Sequence, residues 1–159
     1  MVNQIVLEMI RFFGDDVKRI NHSLKVLGFS KAICVGEKLT ENEKLIIELS
    51  AILHDIGIKA AEQKYNSSSG HYQEIEGPPI ASAILQGKNI DNTTIERVCY
   101  LVGNHHSYAK IDNIDFQILI EADFLVNIFE DNIEKQVVES IKDKYFKTNI
   151  GRDLIITFL

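Results

Sequence analysis

Tryptophan is absent from the 159-residue chain, and proline and cysteine occur only twice each. The chain has no apolar run long enough to span a bilayer and no basic stretch before an apolar segment at its start, so we expect neither a membrane anchor nor a secretory signal. The formal net charge of −6 argues against nonspecific binding to nucleic acid or to anionic membranes. Cys34 and Cys99 lack metal-type spacing and are expected to be reduced thiols, which indicates a cytoplasmic protein.

The remaining composition is that of a globular protein, with 45% hydrophobic and 25% charged residues. Apolar residues recur at helical spacing along nearly the whole chain, and no segment shows sustained alternation of period two. The sequence therefore predicts an all-α fold with a single domain over residues 1–159. The predicted helices cover residues 2–13, about 15–38, 40–57, 78–87, 93–106, 113–129, 132–145 and 154–159.

Local signals set several of these boundaries. Asp15 is predicted to cap the second helix, and residues 40–43 (Thr-Glu-Asn-Glu) and 93–96 (Thr-Thr-Ile-Glu) each have the form of a capping box. Pro78 suits the first turn of a helix. Residues 65–72 are rich in polar and turn-forming types, which predicts a loop that either covers a ligand or simply connects two helices.

The dipeptide His54-Asp55 is the most informative feature of the chain because it ends an otherwise apolar helical run. Burying an imidazole or a carboxylate without a partner costs several kcal/mol, so we expect another charge or a metal ion beside them. Adjacent helical residues point about 100° apart and can reach one ion only near a helix end, where Gly57 is expected to stop the helix. His22 and Asp123 lie in two other helical patterns and complete a predicted divalent-metal site. The alternative is that His22 and His54 are hydrogen-bonded core histidines without a metal ion. It is the weaker explanation because four residues suited to metal binding occur in this order.

The order His22, His54-Asp55-Ile56-Gly57 and Asp123 resembles the HD superfamily of metal-dependent phosphohydrolases, in its small His-Asp-Ile-Gly (HDIG) subset. The resemblance covers about residues 15–127 and leaves C-terminal helices over 132–159 outside it. It implies a single-domain helical HD fold in which His22, His54, Asp55 and Asp123 bind one or two divalent ions, of Fe, Mn, Ni, Co, Zn or Mg. The implied activity is hydrolysis of a small phosphate ester, with a nucleotide as one candidate substrate.

Other residues near these motifs have side chains suited to phosphate chemistry. Arg19 precedes His22 by about one helical turn and Lys59 follows Gly57 closely, so both are predicted to bind substrate phosphate, although a solvated surface position is the alternative for each. Asp55 is predicted to be catalytic as well as a ligand. His105 and His106 are predicted to bind a second metal, to orient water or to donate a proton.

The chain departs from the motifs of the better-known branches of the superfamily, so the resemblance does not indicate a particular substrate. The pair His105-His106 continues as Ser107-Tyr108 without the Gly-Tyr-Pro signature of cyclic-dinucleotide phosphodiesterases, and Ile58 separates Gly57 from the lysine that those members carry directly after it. Two alternative functions remain: an HD-type di-iron oxygenase, in which the histidine pair holds a second iron, and a noncatalytic regulatory domain that binds a ligand. The sequence does not indicate an oligomeric state.

Overall fold

The computed structural model describes all 159 residues, and its regular structure consists of nine α-helices and one short 3-10 turn without any strand. The predicted all-α fold is therefore confirmed. None of the helices combines the length and the apolar character needed to cross a membrane. The helices are α1 (Val2–Phe13), α2 (Val17–Cys34), α3 (Glu41–Leu53), α4 (Ile58–Tyr65), α5 (Gly70–Leu85), α6 (Asn92–Val102), α7 (Ile114–Glu130), α8 (Lys135–Tyr145) and α9 (Asn149–Thr157).

Helix α3 lies at the centre of the molecule and packs against α1, α2, α6 and α7. Its residues from Leu49 to Leu53 are all buried, which follows from an apolar pattern that extends almost all round the helix. The predicted capping box starts it: Glu43 donates its backbone N–H to the Thr40 hydroxyl at 3.1 Å, and the Thr40 N–H donates to the Glu43 carboxylate at 2.9 Å. The helix ends at Leu53, so the end expected at Gly57 is four residues too late.

Two other predicted helix starts are wrong by one or two residues. Asp16, and not Asp15, caps α2 by accepting a hydrogen bond from the backbone N–H of Arg19 at 3.3 Å. Asp91 caps α6 by accepting from the N–H of Thr94 at 2.7 Å, so the predicted box at 93–96 lies inside the helix. In each case the true cap reaches three residues forward, the distance that a cap requires, and a second residue of capping type one or two positions away gave the same local signal.

The segment predicted as a loop over 65–72 is helical at both of its ends. Helix α4 occupies Ile58–Tyr65, and α5 begins at Gly70, so the connection shrinks to four residues. Pro78 lies in the middle of α5 beside Pro79, not in a first turn. Proline has no N–H to donate, so both positions lack the usual helical hydrogen bond to the residue four before them.

The middle of α5 also makes a very close backbone contact with the turn after α3. A Cβ atom on Gly57 would lie 2.5 Å from the backbone nitrogen of Gly77 and 2.7 Å from the carbonyl oxygen of Gln73. Real Cβ atoms do not approach other atoms this closely. The approach of α5 to the His54-Asp55 turn therefore depends on the absence of a side chain at residue 57.

The C-terminal helices are attached to α7 through one buried carboxylate. Glu121 is fully buried and accepts hydrogen bonds from the backbone N–H of Lys147 at 2.9 Å, the N–H of Thr148 at 3.1 Å and the Thr148 hydroxyl at 2.6 Å. A side chain at residue 151 would collide with this carboxylate, so the glycine allows the close approach of α9. We call this set the Glu121 clamp; it explains why α9 begins at Asn149, five residues before the predicted start.

Candidate metal centre

Three elements converge to bring the predicted ligands together. His22 comes from the middle of α2, Asp123 from α7, and His54-Asp55 from the turn that follows α3. The His22 Nε2 atom lies 3.1 Å from His54 Nε2 and 3.1 Å from Asp123 Oδ1, and His54 Nε2 lies 3.5 Å from the same oxygen. Asp55 Oδ2 lies 3.3 Å from His22 Nε2 and 3.4 Å from His54 Nε2. We call these four residues the first cluster.

The donor atoms of the first cluster fit around one ion. The Nε2 atoms of His22 and His54 and the Oδ1 atom of Asp123 lie 3.1 to 3.5 Å from one another, and Asp55 Oδ2 lies 3.3 and 3.4 Å from the two imidazole nitrogens. Atoms about 3.3 Å apart can each lie about 2.0 Å from a common ion, which matches the bond lengths of a transition metal to imidazole nitrogen and carboxylate oxygen. One N–H cannot point at three acceptors at once, whereas a cation at the centre attracts every donor atom. The absence of thiolate sulfur makes the set suitable for Fe, Mn, Co, Ni or Zn.

The Nδ1 atoms of His22 and His54, on the side of each ring away from the first cluster, already make hydrogen bonds. His54 Nδ1 lies 2.8 Å from the carbonyl oxygen of Ala51, and His22 Nδ1 lies 2.6 Å from Glu130 Oε1. Both partners are acceptors, so each Nδ1 carries the proton and donates it. The lone pair of the neutral ring is then on Nε2, the atom that faces the other members of the first cluster.

A second cluster shares Asp55 with the first. His105 Nε2 lies 3.2 Å from Asp55 Oδ1, and His105 Nδ1 donates to the carbonyl oxygen of Val102 at 2.8 Å. The ring of His106 lies 4.0 Å from that of His105, centroid to centroid. Donor atoms of Asp55, His105 and His106 all lie within 4.8 Å of one another. The two oxygens of Asp55 therefore face different clusters, an arrangement that can bridge two ions.

Helix α5 and the connection before it hold His106. The Nε2 of His106 lies 3.2 Å from Gln73 Oε1, and Gln73 donates its amide N–H to the carbonyl oxygen of Ser68 at 2.6 Å, which fixes the orientation of that amide. Glu74 accepts from the backbone N–H of His106 at 3.1 Å. Gly70 sits against the ring, because a Cβ there would lie 2.7 Å from His106 Cγ.

Electrostatics favour a cation in the first cluster. Burial opposes ionisation of Asp55 and Asp123, but the charge of His54 outweighs it and holds the pKa of each carboxyl below its usual range. Burial lowers the pKa of His54, and the two carboxylates more than reverse this and raise it to about 9. Burial, and next the charge of His105, lower the pKa of His106 to about 4, so that ring is neutral near pH 7.

The two residues predicted to bind phosphate lie outside both clusters. Arg19 Nη1 is 2.9 Å from Asp16 Oδ2 and 2.6 Å from Glu62 Oε1, so two carboxylates already pair with its guanidinium. The ammonium of Lys59 lies 5.9 Å from the centroid of the Phe12 ring. Their role in substrate binding stays a prediction.

Sequence reasoning did not identify several residues that contact the predicted ligands. Glu130 contacts His22, Asn127 donates to Asp123 Oδ1 at 3.2 Å, and Gln73 contacts His106. One signal was available, because Asn127 and Glu130 follow Asp123 by four and seven residues and so share its face of α7. No comparable pattern marks Gln73.

Fold and site together define an all-helical domain with paired His/Asp clusters between its helices. The HD-domain family model matches residues 19–141, and the chain belongs to this family. The match includes every residue of both clusters. A crystal structure from an uncultured Thermotogales bacterium, described as a predicted HD superfamily hydrolase, is similar over 98% of this chain and 82% of that one, with a TM-score of 0.66 and 21% identity. This similarity concerns the fold. No curated protein matches the chain at a significant level.

Proposed function

We propose that the protein is a metal-dependent phosphohydrolase that acts on a small phosphate ester. In this proposal His22, His54, Asp55 and Asp123 hold one divalent ion, and Asp55, His105 and His106 hold a second. The observation that carries the proposal is the position of Asp55, whose Oδ2 lies 3.3 Å from His22 Nε2 and whose Oδ1 lies 3.2 Å from His105 Nε2. A carboxylate shared in this way suits a pair of ions that bind a phosphoryl group between them.

When bound, a divalent ion supplies a Lewis acid that lowers the pKa of water and neutralises charge on phosphoryl oxygens. Asp55 would orient the attacking water. With the first ion alone bound, Asp55 Oδ1 is free to accept a proton from that water, and His105 Nε2, which faces this oxygen at 3.2 Å, is placed to pass the proton to the leaving oxygen. His106, whose pKa is lowered to about 4 by burial and by His105, serves as a ligand in preference to a proton donor.

The two predicted phosphate-binding residues, Lys59 and Arg19, differ in how free their charged groups are to bind a substrate. Lys59 pairs with no carboxylate, so its ammonium is free to turn from Phe12 toward a bound anion. Arg19 has to exchange its contact with Glu62 for a substrate phosphate, and its contact with Asp16 can stay in place. We therefore propose Lys59 as the first of the two to test.

Metal analysis followed by a phosphate-release screen tests the proposal. Purified protein is analysed for bound metals, and phosphate release is then measured on phosphomonoesters, phosphodiesters and nucleotides with Mn, Fe, Ni or Mg added. Asp55→Ala serves as the inactive variant, and Asp153→Asn, which removes an exposed acid in α9, serves as the matched control. Release that depends on metal and on Asp55 supports the proposal. Release that Asp55→Ala leaves unchanged contradicts it.

Paired clusters also favour one second candidate, a di-iron oxygenase that acts on an organic substrate. Iron-loaded protein that consumes oxygen and releases no phosphate supports that candidate. Metal-loaded protein that binds phosphate compounds tightly without forming product supports a noncatalytic regulatory domain instead. The same preparation serves all three measurements, so the outcomes are directly comparable.

A further inference from the structure

One helix contacts both nitrogens of a single imidazole. Asp123 and Glu130 lie seven residues apart on α7, which is about two turns, and so they share one face of the helix. Asp123 Oδ1 lies 3.1 Å from His22 Nε2, and Glu130 Oε1 lies 2.6 Å from His22 Nδ1. The ring of His22 is therefore held between two carboxylates of α7.

The partner of His22 differs in kind from those of the other histidines. His54 and His105 donate their Nδ1 protons to backbone carbonyl oxygens, at 2.8 Å each. Glu130 supplies a charged acceptor instead, at 2.6 Å, and a hydrogen bond to an ionised acceptor is shorter and stronger than one to a neutral acceptor. The Glu130 side chain is only 14% exposed, which limits the competition from water.

Helix α2 supplies both partners of the Glu130 carboxylate. Its Oε1 accepts from His22, and its Oε2 accepts from Lys25 Nζ at 3.1 Å, one turn further along α2. The Lys25 side chain is 45% exposed, so this outer contact is the weaker of the two. Two contacts from one helix fix both oxygens of the carboxylate in place.

We propose that Glu130 is a positioning residue of the metal centre. It holds the proton of His22 on Nδ1, turns Nε2 toward the first cluster, and makes that nitrogen a better donor to a cation. The inference rests on the metal site of the proposed function and does not depend on which reaction the site performs. Removing such an outer partner of a metal-binding histidine typically weakens metal binding by about 10–100-fold.

The competing explanation is that Glu130 only joins α7 to α2 through its ion pair with Lys25. That explanation predicts equal effects of Lys25→Gln and Glu130→Gln on stability, and no effect of either on metal affinity. Our proposal predicts that Lys25→Gln changes metal affinity little, because the contact between Glu130 and His22 stays intact.

Metal titration of four variants separates the two explanations. The dissociation constant for Zn²⁺ is measured by calorimetry on Glu130→Ala, Glu130→Gln, Lys25→Gln and Asp131→Asn. Glu130→Ala is expected to weaken binding by about 10–100-fold, and Glu130→Gln by less, because its amide oxygen still accepts from Nδ1. Asp131 is exposed and its side chain makes no hydrogen bond or ion pair, so Asp131→Asn controls for the loss of one negative charge beside the site.

A second readout does not require metal at all. The Nδ1 proton of His22 is expected to give a slowly exchanging, downfield resonance in the metal-free protein, because the hydrogen bond to Glu130 protects it. The resonance should persist in Glu130→Gln and disappear in Glu130→Ala. A Glu130→Ala protein that is folded, keeps this resonance and binds Zn²⁺ as tightly as the wild type overturns the proposal. A wild type that shows the resonance but binds no metal contradicts the proposed function and leaves the contact between Glu130 and His22 intact.

Discussion

His54 and His105 are oriented by the same local contact. Each ring donates its Nδ1 proton to the carbonyl oxygen three residues earlier, to Ala51 in one case and Val102 in the other, and both distances are 2.8 Å. Each carbonyl belongs to the last turn of a helix, where the regular hydrogen-bond pattern leaves an acceptor free. The orientation of both rings is therefore determined within their own segments and does not rely on a neighbouring helix.

Loss of Asp123 should remove metal without unfolding the protein. We expect Asp123→Ala to bind at least ten times less metal than the wild type, because His22 and His54 then share the first cluster with only one carboxylate. The variant should stay helical, since the change also removes a buried charge from a site without metal. Metal content by elemental analysis and helicity by circular dichroism check this. Asp153→Asn is the control, and a variant with wild-type metal content contradicts the assignment of Asp123.

Both histidines of the pair should act as ligands of the second ion, and His106 should not act as a proton donor. We expect His105→Gln to lower the metal-to-protein ratio, because its Nε2 faces Asp55 Oδ1 at 3.2 Å. His106→Gln should leave the upper limb of the pH–rate profile in place, since a ring with a pKa of about 4 is no proton donor near neutral pH. If His106→Gln instead loses the upper limb while metal content is unchanged, His106 is the proton donor.

Metal binding should become tighter as the pH rises. Burial lowers the pKa of His54, but Asp55 and Asp123 raise it to about 9 in the metal-free protein, so the ring holds a proton at lower pH that an incoming ion has to displace. Below that pKa, each pH unit should weaken binding about tenfold, and above it the affinity should level off. Calorimetry in buffers of different ionisation enthalpy should detect at least one proton released per ion near neutral pH. An affinity that does not change with pH contradicts this assignment.

The Glu121 clamp should be important for stability. Glu121→Ala leaves the two backbone N–H groups of Lys147 and Thr148 and the Thr148 hydroxyl without their acceptor, and we expect a loss of about 3 kcal/mol or more in the free energy of unfolding. Urea denaturation measures the loss. Glu134→Ala, which removes an exposed acid just before α8, should cost far less. Equal costs for the two variants contradict the role of the clamp.

The parts of the fold that were predictable from the sequence are those with a local cause. The Thr40 capping box begins α3 as expected, and the apolar pattern that follows places this helix at the centre. Helix α4 was missed because only one of its residues, Ala61, is buried, so it leaves almost no apolar periodicity in the sequence. The start of helix α5 was predicted at Pro78 because proline favours a first turn, but this residue lies inside the helix, next to the contact between Gly57 and Gly77.

The candidate site also has one part that was predictable from the sequence and one part that was not. His22, His54, Asp55 and Asp123 were predicted as a group from their order in the chain, and the structure brings an oxygen of each carboxylate to 3.1 to 3.5 Å from the two imidazole nitrogens. The contact between His105 and Asp55 spans 50 residues and depends on how α6 lies against α3, which no local pattern records. The same reason hides the pairing of Arg19 with Glu62, which is formed across α2 and α4.

The close backbone contact between Gly57 and Gly77 sets how near α5 lies to the turn that carries Asp55. Asp55 stands two residues before Gly57, and the residues that hold His106 stand on α5 just before Gly77. A methyl group at residue 57 would collide with the backbone of Gln73 and Gly77, in the part of α5 that contacts His106, while His22 and Asp123 lie on other helices. The size of the side chain at residue 57 thus bears more on the candidate site of the second ion than on that of the first.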